Sequence, residues 1–195
     1  MNTTPQNTVE NEVSMNLCRA LAYAEFNDLP YFILPDGRAF QGDYSECVKT
    51  FEEDGLQTWE SFSDYCDSEL TEIEEQDESF EFDDKYIVLT DDEASEKCKD
   101  YILDSVWAFN PSFLSGETGI HEDVFRAIQD NGKCESNNDA ILSCIDDEDA
   151  FVEAAIAADG RGHFMNTYDG EETEVVFSTL GNEYEENVFY VYRIN

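Results

Sequence analysis

The stretch KYIVLTDDEASEKCKDYILDSVWAFN, residues 85–110, decides the fold class. Its first five residues, Lys85–Leu89, form a short β-rich run bounded by charge, which reads as a strand. Thr90-Asp91-Asp92-Glu93 follows as a capping box, with the Thr90 hydroxyl as N-cap and Glu93 reaching back to the Thr90 amide. The helix opened there carries Ala94, Cys98, Tyr101, Ile102, Val106 and Phe109 on one face and is expected to end near Asn110-Pro111.

Both flanks mix the two element types. Towards the N-terminus, a polar tail (1–9) precedes an amphipathic helix from about Glu10 to Asp28, with Val13, Leu17, Leu21 and Ala24 at helical spacing. Tyr31–Leu34, Pro35-Asp36-Gly37 and Arg38–Phe40 read as a hairpin turned by Asp-Gly. Helices are expected over 44–53, with Gly55 as the stop, and over 58–70, where Trp59, Phe62, Cys66 and Leu70 share a face. Residues 71–84 are a helix extension or a linker. Towards the C-terminus, helices are expected at about 119–130, 138–146 and 148–158, the last closed by Gly160. Two strands, Thr173–Thr179 and Asn187–Ile194, flank a hairpin signal at Leu180-Gly181-Asn182-Glu183. The class is α+β: several helices packed on a small, mostly antiparallel sheet ending in a C-terminal hairpin. A seam near residue 84 divides an acidic, mostly helical N-terminal region (1–84) with a short hairpin from an α+β C-terminal domain (85–195).

Composition narrows the function. With 41% hydrophobic residues, 14 Phe and 10 Tyr in 195 residues, the chain can build a core. Forty-seven Asp and Glu stand against ten Lys and Arg, a net charge of −37, and repulsion on that scale works against compaction. Direct binding to nucleic acid or to an anionic membrane is excluded as the main activity, since both need basic patches. No apolar run is long enough to span a bilayer. The opening MNTTPQNTVENE lacks the features of a signal peptide, so a reducing cytoplasm is expected. Cys18, Cys47, Cys66, Cys98, Cys134 and Cys144 then read as free thiols, with no C-x-x-C among them.

The acidic tract is the strongest signal. Between Lys49 and Lys85 no basic residue occurs, while residues 52–84 hold fifteen carboxylates. Twelve of them are the candidate partner-binding residues: Glu60, Asp64, Asp67, Glu69, Glu72, Glu74, Glu75, Asp77, Glu78, Glu81, Asp83 and Asp84. Were the stretch mostly helical, it would span about 50 Å, or about 3.3 Å per charge, close to the roughly 3.4 Å per phosphate of a DNA strand. Trp59, Phe62 and Tyr65 interleave with the acids and, if exposed, would supply desolvated anchors. A solvated surface helix is the plain alternative, though such faces ordinarily mix both signs. A halophile's proteome is a second source of such charge.

Other chemistry is thinly represented. No calcium-loop pattern, H-E-x-x-H or zinc-spaced cysteine pair is present, so no metal or cofactor is expected. There is no G-x-S-x-G, P-loop or G-x-G-x-x-G. The one loop with a catalytic look is Asp159-Gly160-Arg161-Gly162-His163, followed by Tyr168-Asp169-Gly170, where Arg161, His163 and Asp169 are candidates to converge on an anion. The structural reading is that Gly160 ends a helix, Arg161 pairs with nearby acids or caps carbonyls, and Asp169-Gly170 makes a turn.

Val88-Leu89-Thr90-Asp91-Asp92-Glu93-Ala94, Asp159–His163, Tyr168-Asp169-Gly170-Glu171-Glu172 and Tyr190-Val191-Tyr192-Arg193 together resemble a group of small acidic proteins of tailed bacteriophages, over roughly residues 86–195. The resemblance implies a phage or mobile-element origin and brings no mechanism. In charge and size the chain is similar to phage anti-restriction and anti-CRISPR DNA mimics. The expectation is therefore a non-enzymatic inhibitor that blocks the cleft of a basic nucleic-acid-binding host protein, acting in the host cytoplasm. The alternatives are an acidic, non-inhibitory adaptor or structural phage protein and, third, an enzyme using the Arg161, His163 and Asp169 loop.

Overall fold

A computed structural model describes residues 13–53, 55, 58–74, 80–131, 134–178 and 186–195. They form two compact units: the chain up to Thr90 with Thr173–Val191, and Asp91–Glu172 with Tyr192–Asn195. The class is α+β, as expected, with antiparallel pairing in two small sheets.

The first unit opens with α1 (Met15–Phe26), capped by Ser14, whose hydroxyl accepts from the Leu17 amide at 3.1 Å. The hairpin of β1 (Tyr31–Ile33) and β2 (Ala39–Gln41) follows, then α2 (Tyr44–Glu53) and α3 (Trp59–Glu69). Strands β3 (Glu81–Phe82), β4 (Tyr86–Leu89), β5 (Thr173–Ser178) and β6 (Glu186–Arg193) make a four-stranded sheet in the order β3-β4-β6-β5. Helix α1 buries Leu17 and Leu21 among Val88, Val175, Phe189 and Val191 of that sheet. Each such side chain contributes about 1.5–3 kcal/mol of transfer free energy. A second cluster joins Phe32 and Phe40 of the hairpin to Phe51, Phe62 and Cys66 of α2 and α3.

The second unit is helical: α4 (Asp91–Asp104), a 3₁₀ turn at Val106–Ala108, α5 (Pro111–Thr118), α6 (Glu122–Asn131), α7 (Asn138–Leu142), α8 (Glu148–Asp159) and α9 (Arg161–Met165). Ile102, Leu114, Phe125, Ile141 and Phe151 are among its buried side chains.

Three expectations need correction or restatement. The division at residue 84 does not coincide with the compact units, because β4 and the C-terminal hairpin share a sheet with β3. The helix expected to run to Asn110-Pro111 stops at Asp104, a 3₁₀ turn follows, and the dipeptide instead starts α5, with Asn110 as N-cap and Pro111 in the first turn. The stretch around Arg161, read as a loop, is the short helix α9. The tail 1–9 and the signal at Leu180-Gly181-Asn182-Glu183 lie outside the described residues. No helix among the described residues is long and apolar enough to cross a membrane.

Candidate functional site

The acidic tract is not one continuous helix. Helix α3 supplies eleven residues, about 16 Å of axis, and ends where Leu70 turns extended at φ −114°, ψ 160°. Residues 71–73 then run beside β2: the Gln41 amide donates to the Thr71 carbonyl at 2.9 Å and the Ile73 amide to the Ala39 carbonyl at 2.8 Å. Two forces favour the change. Thr71 and Ile73 are β-branched and suit extended backbone. Continuing the helix would also set Glu69 against Glu72 at i,i+3, a like-charge pair. The even 3.3 Å charge spacing therefore does not hold across the tract.

Glu60 and Asp64 stand exposed one turn apart on α3, and Asp67 extends the same exposed face. Asp67 is partly neutralised, because Arg38 bonds both its carboxylate and that of Asp36. Burial alone would push the Asp36 carboxyl up, but hydrogen bonds from Arg38 outweigh it and hold it below its ordinary value. Glu69, Glu72 and Glu74 are exposed along the exit from α3. Glu81, Asp83 and Asp84 are exposed at the β3–β4 turn, where Asp83 and Asp84 both take positive φ (53° and 55°), a conformation the Asp side chain tolerates. Asp83 also accepts the Tyr23 hydroxyl at 2.6 Å. Burial first, then that carboxylate, pushes the Tyr23 phenol up to about 12. Glu75, Asp77 and Glu78 lie outside the described residues.

Of the aromatics that would anchor a partner if exposed, the two described side chains are not free to do so. Phe62 is 4% exposed and belongs to the core, and Tyr65 packs half-buried against it. The Trp59 side chain lies outside the described residues. Tyr44, 50% exposed, instead presents an aromatic ring on this unit, set edge-on against Phe32 and Phe62.

The few cations are largely engaged by their own chain. Arg19 is buried, donates to the Val88 carbonyl at 2.9 Å and stacks on Phe80. Lys49 pairs with Glu53, Lys99 with Asp149 at 2.5 Å, and Arg126 with Glu122. The positive charge thus mends internal contacts and leaves the outward field to the carboxylates.

Arg161 anchors the second candidate. Its guanidinium grips Glu172 through Nε at 2.9 Å and Nη2 at 3.1 Å, while Nη1 reaches the Asp91 carboxylate at 2.7 Å and the Ser95 hydroxyl at 3.2 Å. The side chain is only 13% exposed. Burial pulls its pKa down, yet the bonds it donates to Glu172 and Asp91 outweigh that and raise it above the ordinary value. The Tyr192 hydroxyl donates to the same Glu172 carboxylate, and burial plus that charge push the phenol well up, so it stays a neutral donor. Cys98 nearby is pushed up to about 11, chiefly by burial.

Gly162 explains the second half of the motif. A Cβ there would stand 2.3 Å from the Gly170 carbonyl oxygen and 2.8 Å from the Glu172 nitrogen. Only a bare backbone lets α9 lie against residues 170–172. Asp169 turns that segment by accepting from the Glu171 amide at 3.0 Å. Arg193 covers the Tyr168 ring at 3.7 Å, and its carbonyl accepts from the Thr167 amide at 2.8 Å. The motif segments around Asp91, Arg161, Glu172 and Tyr192 therefore meet in one hydrogen-bonded network. His163 and Asp169 are exposed, while the Arg161 guanidinium is engaged by two carboxylates of its own chain. Glu172 and Tyr192 were not foreseen as partners, although both lie within the motif segments.

Among the described residues no three His, Cys, Asp or Glu side chains gather in a metal-holding group. No family model, curated protein or solved structure matches the chain.

Proposed function

We propose that this chain is a bacteriophage-encoded inhibitor that takes the place of DNA in the cleft of a basic host defence protein, a restriction or CRISPR effector, in the host cytoplasm. One observation carries the reading. Between Lys49 and Lys85 there is no basic residue, and Glu60, Asp64, Asp67, Glu69, Glu72, Glu74, Glu81, Asp83 and Asp84 are all exposed. An ordinary solvated surface intersperses lysines. The mimicry does not rest on even phosphate spacing along one helix. It rests on a folded scaffold whose outward charge is of one sign, which speeds and orients encounter with a basic cleft. The engagement of Arg161 by Glu172 and Asp91 supports treating the glycine-rich motif as a structural brace.

The test is capture of partners from a bacterial lysate on the immobilised chain at about 50 mM salt, followed by elution with duplex DNA. Duplex DNA is expected to displace the partner, and affinity is expected to fall by orders of magnitude between about 50 and 200 mM salt. A five-fold variant, Glu60→Gln, Asp64→Asn, Glu72→Gln, Glu74→Gln and Glu81→Gln, should bind far more weakly while each single change costs at most about 1 kcal/mol. A partner held equally at both salt concentrations and untouched by DNA would indicate an apolar adaptor interface and end the mimic reading.

A further inference from the structure

An open cleft of about 330 Å³ lies in the first unit, where the exits of α1, β2 and α3 meet. Leu29, Pro30 and Leu70 give it apolar walls, Gln41 and Thr71 add polar groups, and Glu69 stands at its lip. Leu29 remains 43% exposed there. The walls are held by the main chain: the Leu29 amide donates to the Ala24 carbonyl at 3.0 Å, and the Gly42 amide to the Pro30 carbonyl at 2.8 Å. Exposed Asp28, Asp43 and Glu72 flank the lining segments, and residues 28–30, 41–43 and 69–72 contain no Lys, Arg or His. Arg38, the cation of the hairpin, is committed to Asp36 and Asp67.

Apolar walls with a rim of one sign suit one kind of occupant. A purely apolar partner would strip water from Glu69 without replacing its hydrogen bonds. An anion, or a second copy of a chain carrying −37, would be repelled. A long basic side chain satisfies both parts, its methylene stem on Leu29, Pro30 and Leu70 and its charged head at the acidic rim. The size, at the small end of the roughly 300–1,000 Å³ of ligand clefts, suits a single side chain.

We infer that this cleft is the directional anchor of the acidic surface, receiving one arginine or lysine side chain of the partner's nucleic-acid-binding cleft. The inference rests on the proposed function and names where binding is more than diffuse charge attraction. Buried basic anchors of this kind are typical of interface hot spots, whereas exposed rim pairs contribute little.

The probe is a hexa-arginine peptide, titrated into the full ¹⁵N-labelled chain at about 50 mM salt. Backbone amides of Leu29, Gln41, Gly42, Leu70 and Thr71 should move more than those of Glu60 and Asp64. Leu29→Gln leaves the charge unchanged, so it isolates the apolar wall. It should weaken the peptide about 3- to 10-fold, from lost apolar contact, with the spectrum otherwise preserved because Leu29 is not a core residue. Binding that is salt-sensitive but unchanged in Leu29→Gln, or shifts spread evenly over all the acids, would overturn the cleft and leave the mimic reading standing. A peptide that fails to bind at all at low salt would overturn both.

Discussion

A methyl group on Gly162 would lie 2.3 Å from a backbone oxygen, a contact that no rotamer change relieves. Alanine has the better helix propensity by about 1 kcal/mol, but overpacking against fixed backbone costs about 1–3 kcal/mol or more. Gly162→Ala is therefore expected to lower stability by about 1–2 kcal/mol in denaturant titration. Gly116, within α5, provides the opposite sign: nothing lies within 4 Å of its added Cβ, so Gly116→Ala should raise stability by up to about 1 kcal/mol. If both variants shift the same way, the close approach at Gly162 does not govern it. Residue types in the motif showed Gly160 as a stop, Arg161 as an acid-paired side chain and Asp169 as a turn former. They did not show which acids Arg161 meets, because Asp91 and Glu172 lie 70 and 11 residues away, and sequence separation carries no sign of such pairing.

Elements were legible where local chemistry and tertiary packing agreed. The Asp-Gly hairpin, the stop after α2 and the start of the helix after Thr90 all formed within a few residues of expectation, though that helix ends at Asp104 rather than near Asn110. Asn110-Pro111 was ambiguous, since such a dipeptide can follow one helix or open the next, and here it opens α5. Here the Asn110 side chain accepts from the Ser112 amide at 2.9 Å and the Ser112 hydroxyl at 2.8 Å, the work of an N-cap. Asn110→Ala should cost about 1 kcal/mol, seen as a lower denaturation midpoint with an unchanged slope. An unaltered midpoint would mean that α5 is held by Leu114 and its packing, not by its cap. The tract after α3 was undecidable from composition for a related reason. Acidic residues report solvent exposure but not backbone state, and the pairing of residues 71–73 with β2 is a long-range contact.

At the scale of the whole chain, composition suggested a boundary at residue 84, but the chain returns at Thr173 to complete the sheet begun by β3 and β4. Charge is the property that composition conveyed without distortion. Forty-seven carboxylates against ten cations must repel one another in any compact state, and the cations described are mostly engaged in ion pairs, carbonyl contacts and ring stacks of their own chain. The same charges therefore act with opposite sign on folding and on binding. Screening shortens from about 30 Å at 0.01 M salt to about 8 Å at 0.15 M, which relieves self-repulsion and weakens attraction to a basic partner together. Each ~1 kcal/mol of relief raises the unfolding midpoint by about 2–4 °C in a chain of this length. Thermal scans from about 10 to 500 mM sodium chloride should then show a rising midpoint over the range in which partner affinity collapses. The five-fold acidic variant should flatten both slopes, because it removes charge rather than contacts. A midpoint that falls with salt would place the net effect of electrostatics on the side of the ion pairs of Arg38, Lys99 and Arg161, and the acidic surface would then stabilise the fold rather than strain it.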